Sequence, residues 1–342
     1  MAILLVICFH FWQTFTVEPH GLVGKLAIWG QTGVDLFFVL SGFLITGILV
    51  DLDATNHFLR NFYARRMLRI FPLYYLTLLI FYVALPLLKV IPWTRFSTSL
   101  WFWTYLQNVP LTFAPADVVG PSHFWSLAVE EHYYLIWPLL VLWLSRRKLN
   151  YVIFYTILFC VAVRIVLSTL GYPTFYLTLC RFDGLAIGSG LALLARREGG
   201  LAPFSLPAKI IFIVLALALA IAQLLLSGTQ LPALQIAKPT LISLLYGLLL
   251  LLILENSLGR RVTGVLSGRV LSRVGLYSYG MYVTHPFLLD ALHHFGLPYG
   301  IPGLVLSLLI TYLAGWASWV LFEKHFLRLK TWFEYSRPQT AQ

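Results

Sequence analysis

Charge is what this sequence has least of. Asp, Glu, Lys and Arg make up only 11% of its 342 residues, against 59% from the apolar set AVILMFWYC. A soluble domain usually carries roughly 25% charged residues and about 45–50% apolar ones. The charges present are too few to cover a water-facing surface, which excludes a single soluble core, a disordered chain and a coiled coil. Cysteine is also scarce. Cys8, Cys160 and Cys180 all lie in apolar segments, their number is odd, and no CxxC or Cys/His spacing occurs. A disulfide framework and a structural zinc site are therefore not indicated, and no bound metal is expected. There is no GxSxG elbow, Walker loop or GxGxxG, and no internal repeat, low-complexity tract or linker. The first apolar run lacks the basic flank and small-residue cleavage site of a secretory leader.

Apolar runs, by contrast, are abundant. Aromatic residues reach 16% of the chain, 11 of them Trp, and the mean hydropathy is +0.82. A spanning helix needs ~20 apolar residues at a rise of ~1.5 Å each. Ten stretches fit approximately: 1–17, 33–50, 69–91, 123–144, 151–170, 179–195, 209–227, 239–255, 274–292 and 303–322. The expected fold is all-α, a polytopic transmembrane bundle of about ten spans. It forms a single domain over 1–342, with 323–342 as a short basic tail.

The net charge of +11 is distributed in clusters between these runs. That is the pattern of orientation signals, whereas a nucleic-acid face needs a continuous basic surface, so no nucleic-acid partner is expected. The connections after the second, fourth, sixth and eighth spans, with the tail, hold eighteen of the 24 Lys and Arg. The opposite connections hold four: Lys25, Lys89, Arg95 and Lys238. This bias places both termini in the cytoplasm. The outer connection Pro92–Ser122 contains an apolar stretch too short to cross, expected to be re-entrant or interfacial.

Ionisable groups inside spans are costly and default to functional hypotheses, with pairing between helices as the competing structural explanation. His10 lies in the first span, and Gln13 and Thr14 share its helical face. An imidazole there suits a general base near neutrality, or a histidine bonded to a neighbouring helix. In Phe62-Tyr-Ala-Arg65-Arg66-Met-Leu-Arg69-Ile-Phe-Pro72, the spacings i, i+3 and i, i+4 aim a fork of guanidiniums to one side. Such a fork holds phosphate, or simply anchors the cytoplasmic end of a span. In Trp125-Ser126-Leu-Ala-Val-Glu130-Glu131-His132-Tyr133-Tyr134, the residues Ser126, Glu130 and Tyr134 fall on one face at steps of four. The adjacent carboxylates need partners, for which Arg164 and Arg181 are the candidates, although Arg181 and Asp183 are close enough in sequence to neutralise each other locally. His293 and His294 are adjacent, point to different faces and make poor metal ligands.

Four segments in order resemble the acyltransferase 3 family of integral-membrane O-acyltransferases: Gly33-Val-Asp35-Leu-Phe-Phe-Val-Leu-Ser41-Gly42-Phe-Leu-Ile45, Arg65–Pro72, Trp125–Tyr134 and Ser278-Tyr279-Gly-Met-Tyr282-Val-Thr-His285-Pro286. The resemblance runs over essentially the whole chain. It implies a ten-helix core in the lipid bilayer of the bacterial inner membrane and an acyl-CoA donor, acetyl-CoA by expectation, as co-substrate. It also implies a hydroxyl acceptor on a cell-surface polysaccharide, a lipid-linked saccharide or a similar molecule. By the same resemblance His10 is the catalytic histidine, Glu130 an essential acid, and Arg66 and Arg69, with Arg65 beside them, the donor-binding cations. Ser126, Tyr134, Asp35 and Ser41 are expected to support the acceptor side. The rival class is a transporter or flippase for a lipid-linked saccharide, which ten spans with intramembrane charges also fit.

The first apolar run is short of a full span and begins without a basic flank. The family pattern also carries an arginine eleven positions before its histidine, which counts back to two positions upstream of Met1. A missing upstream segment is therefore expected.

Overall fold

The computed structural model describes residues 1–15, 24, 27–52, 57–226, 231–296 and 299–334. Every regular element among them is helical, and none of them forms a strand. The longer helices are α1 (Ala2–Phe15), α2 (Gly33–Asp51), α3 (Phe58–Leu79), α4 (Phe96–Trp103), α5 (Asn108–Phe113), α6 (Trp125–Trp143), α7 (Arg146–Thr169), α8 (Phe182–Ala195), α9 (Ser205–Leu226), α10 (Pro232–Leu254), α11 (Arg269–His294) and α12 (Ile301–Ser318). In hydrocarbon no water is available for backbone N–H and C=O groups, so only a segment that satisfies them internally can cross.

Among the described residues, six helical segments are long and apolar enough to cross a membrane: Trp29–Asp51, Phe58–Leu87, Arg146–Thr169, Ala202–Leu225, Pro232–Leu254 and Ile301–Phe333. The chain is a multi-pass, all-helical membrane protein. Each of the ten expected spans coincides with a helix, but four fall outside the six. Among the described residues α1 and α8 cover 14 positions each, and α8 is about 21 Å long at 1.5 Å per residue against a hydrocarbon core of ~30 Å. Helices α6 and α11 are longer but interrupted by polar side chains, Glu130 and Glu131 in one and His285 and Asp290 in the other. The third expected span also begins earlier, at Phe58 rather than 69, which puts Arg65, Arg66 and Arg69 inside a helix of 22 residues. Pro72 removes one amide donor from that helix and Ile80–Ala84 forms a π turn, both tolerated where neighbouring helices cover the freed carbonyls.

The chain folds as two units, 1–40 with 194–319 and 41–193 with 320–342. In the first, α1 packs on α11 through Ile3, Ile7, Val274 and Met281, and then through Phe11, Phe15 and Leu289. The turn Trp29–Thr32 lies against α1 so closely that a Cβ on Gly30 would strike the Leu5 carbonyl. Gly315 of α12 sits under Met281 and Tyr277 of α11, where any side chain would force the helices apart. Helices α9 and α10 share Leu219, Ile242 and Leu245, and Tyr246 of α10 reaches Thr32 at 2.6 Å.

In the second unit a polar chain joins α2, α6 and α8. Trp137 Nε1 donates to Thr46 (2.7 Å), Thr46 donates to Ser189 (2.7 Å), and Ser189 donates to the Gly42 carbonyl (3.2 Å). With its own proton committed, Ser189 accepts from Tyr133 as well, at 2.6 Å. Gly42 is required there because a Cβ would run into the Leu185 backbone. The connection 92–122 forms the short helices α4 and α5, of 8 and 6 residues. Tyr74 and Tyr75 of α3 donate to the Phe102 and Trp103 carbonyls (2.7 and 3.3 Å), and Gln107 and Asn108 donate to those of Phe124 and Trp125 (2.9 and 3.1 Å). Tyr105 takes a positive φ of 59° and stacks on Tyr74 with centroids 4.1 Å apart.

Candidate active site

The chemistry-bearing residues fall into two groups, one in each unit. In the first unit, His10 is held by α1 and His285, fully buried, by α11. Their ring centroids are 4.9 Å apart at 66°, and His285 Nε2 lies 3.3 Å from His10 Nδ1. His10 Nδ1 also reaches the Val6 carbonyl at 3.0 Å, and His285 Nδ1 reaches the Tyr282 carbonyl at 2.7 Å. The partner of His10 thus comes from another helix rather than from Gln13 and Thr14, of which Gln13 is exposed. Asp290 lies within electrostatic reach of His293 and His10. Asp35, buried near the start of α2, faces Lys238 and Tyr246 of α10.

In the second unit, Ser41, Ser126, Glu130 and Tyr134 are all buried. The Ser41 and Tyr134 hydroxyls lie 2.5 Å apart, and both are within hydrogen-bonding range of the Glu130 carboxylate. The helical spacing that places Glu130 and Tyr134 on one face of α6 thereby meets the second half of α2. Arg66 projects from α3 over the Tyr134 ring (5.4 Å) and the Phe62 ring (5.8 Å) and faces both Glu130 and Glu131.

The expectation that Arg164 or Arg181 neutralises these carboxylates is corrected. Arg164 Nη2 bonds Asp183 at 2.8 Å and its Nη1 bonds the Cys180 carbonyl at 3.1 Å, tying α7 to α8. Asp183 is therefore engaged by Arg164, which comes from another helix, while Arg181 lies over the Trp125 and Phe175 rings (5.5 and 5.2 Å).

The arginine fork is also more differentiated than its spacing implies. Arg65 Nη1 donates to the Lys330 and Phe333 carbonyls (3.0 and 3.1 Å), and Asn61 donates to that of Glu334 (2.8 Å). These bonds fasten the turn Leu329–Phe333 to α3. They also bring the Lys330 ammonium within electrostatic reach of Arg69, Arg66 and Arg65. Sequence reasoning missed Lys330, which reads there as one more charge in a basic tail. It also left His285 without a role, although the motif ending His285-Pro286 contained it. The last eight residues, with Arg337, and the connection around Glu18 and Lys25 lie outside the described residues.

A helix bundle that buries histidines, carboxylates and arginines among lipid-facing helices defines a membrane-embedded protein with polar chemistry inside it. Residues 1–322 match the model of the acyltransferase domain family, and the chain belongs to that family. It is similar to an uncharacterized protein of Haemophilus influenzae, 33% identical over 181 residues, which are 47% of this chain and 74% of that protein. It is also similar to the peptidoglycan O-acetyltransferase OatA of Listeria monocytogenes, 32% identical over 165 residues, or 44% of this chain and 24% of that protein. The match spans about a quarter of the length of the Listeria enzyme. No solved structure matches the chain.

Proposed function

We propose that this chain is a membrane O-acetyltransferase of the bacterial inner membrane, moving an acetyl group from acetyl-CoA to a hydroxyl of a saccharide acceptor. The observation that carries an acyl-CoA donor is the concentration of Arg65, Arg66, Arg69 and Lys330 at one stretch of α3. Like charges this close repel, and a polyphosphate such as CoA relieves that repulsion on binding. The name of the Listeria relative supports acetyl as the group and a glycan hydroxyl as the acceptor.

In the reaction, His10 removes the proton of the acceptor hydroxyl as its oxygen bonds to the thioester carbonyl carbon. The C–S bond breaks, and the histidine returns the proton to the departing CoA sulfur. Direct transfer is favoured because no serine or cysteine hydrogen-bonds His10 among the described residues. Arg66 and Arg69 hold donor phosphates, while Glu130, Ser41, Ser126 and Tyr134 shape the acceptor side. Ten helices cross the membrane with both termini in the cytoplasm, the short α8 where the bilayer thins or protein covers its ends.

Purified protein in micelles is expected to release CoA thiol from acetyl-CoA when a glycan hydroxyl is supplied, whereas a flippase would leave the thioester intact. Arg69→Ala should weaken acetyl-CoA binding by about 1.5–3 kcal/mol, the loss of one charge-assisted contact. Unchanged binding would remove the arginine from the donor site. The topology has its own check. Cysteines introduced near Arg147 and Arg197 should be shielded from a membrane-impermeant thiol reagent in intact cells, and labelling there would overturn the ten-helix orientation.

A further inference from the structure

Two backbone carbonyls decide where the protons of the histidine pair sit. A carbonyl oxygen only accepts, so the His10 nitrogen facing Val6 O at 3.0 Å carries hydrogen, and so does the His285 nitrogen facing Tyr282 O at 2.7 Å. Both are Nδ1. Neutral His285 therefore presents the lone pair of Nε2, and this is the atom 3.3 Å from the Nδ1–H of His10. The His10 proton is shared between Val6 O and His285 Nε2, and Nε2 of His10 is its basic nitrogen.

We infer that His285 is a positioning residue for the acyl transfer, a neutral hydrogen-bond acceptor that holds His10 in the Nδ1–H tautomer and stabilises the imidazolium formed when Nε2 takes the acceptor's proton. The inference rests on the proposed reaction for its kinetic consequence but not for the tautomers. Before protonation the 3.3 Å contact is long for a hydrogen bond, as those of unloaded sites often are. After protonation the Nδ1–H becomes a stronger donor, and the bond to His285 shortens. A second imidazolium at His285 would set N–H against N–H, so the pair carries one positive charge at most. The pair is built by packing: the Ile3–Ile7–Val274–Met281 cluster on one side and Phe11–Phe15–Leu289 on the other clamp α1 to α11. The competing source of stabilisation is the carboxylate of Asp290, which acts on His10 and His293 through the field without a hydrogen bond to either in this structure.

The experiment uses the full chain in micelles with acetyl-CoA and a glycan acceptor. His285→Leu is expected to lower kcat by about 10–100-fold with the KM for acetyl-CoA unchanged, a loss within the range of general-base assistance. His285→Gln, whose Oε1 takes the place of Nε2, should recover most of the lost rate. Asp290→Asn should cost less than His285→Leu. Normal turnover in the leucine variant, a glutamine variant as slow as leucine though folded, or a larger loss from Asp290→Asn would each overturn the assignment. Nitrogen-15 NMR of histidine-labelled protein, with the His10 and His285 signals assigned by single replacements, should find Nδ1 protonated in both rings. An Nε2–H tautomer in either ring would refute the inference even if the parent protein transferred nothing. Failure of the parent to consume acetyl-CoA would count against the proposed function alone.

Discussion

His10→Ala is expected to lower acetyl transfer by about 10²–10⁴-fold, the share a positioned general base supplies. Binding of acetyl-CoA should be largely unchanged, because the donor is proposed to be held by the cations Arg66, Arg69 and Lys330 rather than by His10. The physical reason for the size of the effect is that an alcohol is a poor nucleophile until its proton is taken as the carbon–oxygen bond forms. Alanine also leaves Val6 O and His285 Nε2 without their shared donor, but the Val6 carbonyl keeps its place in the helix ladder. The check is a pair of measurements, thiol release from acetyl-CoA and equilibrium binding of CoA. Ordinary turnover by the alanine variant would rule out the proposed base, and a large loss of CoA binding would mean that His10 belongs to the donor site.

Arg164→Ala is expected to be the most destabilising single change, at about 3–5 kcal/mol, because it removes the ion-pair partner of a buried carboxylate. Both side chains are essentially inaccessible, at 0% and 1% exposure, and the aspartate's other oxygen already accepts the Gly184 amide at 3.0 Å. Removing the guanidinium takes away the hydrogen bond of 2.8 Å that Asp183 Oδ2 accepts. The double replacement Arg164→Met with Asp183→Leu should cost much less than the single one, since a buried pair is worth little over apolar groups of similar size. Equilibrium unfolding in mixed micelles measures both. Equal losses for the single and double variants would show that packing, rather than the broken ion pair, sets the cost.

The Arg164–Asp183 pair also marks a limit on what the sequence could say. Intramembrane charges advertise themselves in an apolar chain, so Glu130, Glu131, Arg164, Arg181 and Asp183 were all conspicuous. Which cation meets which carboxylate depends on helix rotation and on the loop between α7 and α8, neither of which leaves a periodic trace. The glutamates face Arg66, from a segment read as a phosphate-holding fork or a cytoplasmic anchor. Arg65 shows the same limit at finer scale. It is one of three arginines at helical spacing, yet its guanidinium is spent on two carbonyls of the C-terminal turn.

The class of the protein was determined by the sequence alone. Composition leaves no way to cover a soluble surface, and helical periodicity is local, so the all-helical membrane bundle, the shared face of Ser126, Glu130 and Tyr134, and the four ordered motifs could be read from one line of residues. Tertiary structure decided the partnerships: His10 with His285 across 275 positions, Ser41 with Tyr134 across 93, and Lys330 with the arginines of α3. It also showed that the helix carrying Asp183 is only 14 residues long. The reason is that a hydrogen bond of about 3 Å is set by where two separate helices come to rest, and that depends on packing at positions such as Gly30, Gly42 and Gly315, where the lack of a Cβ lets backbones approach.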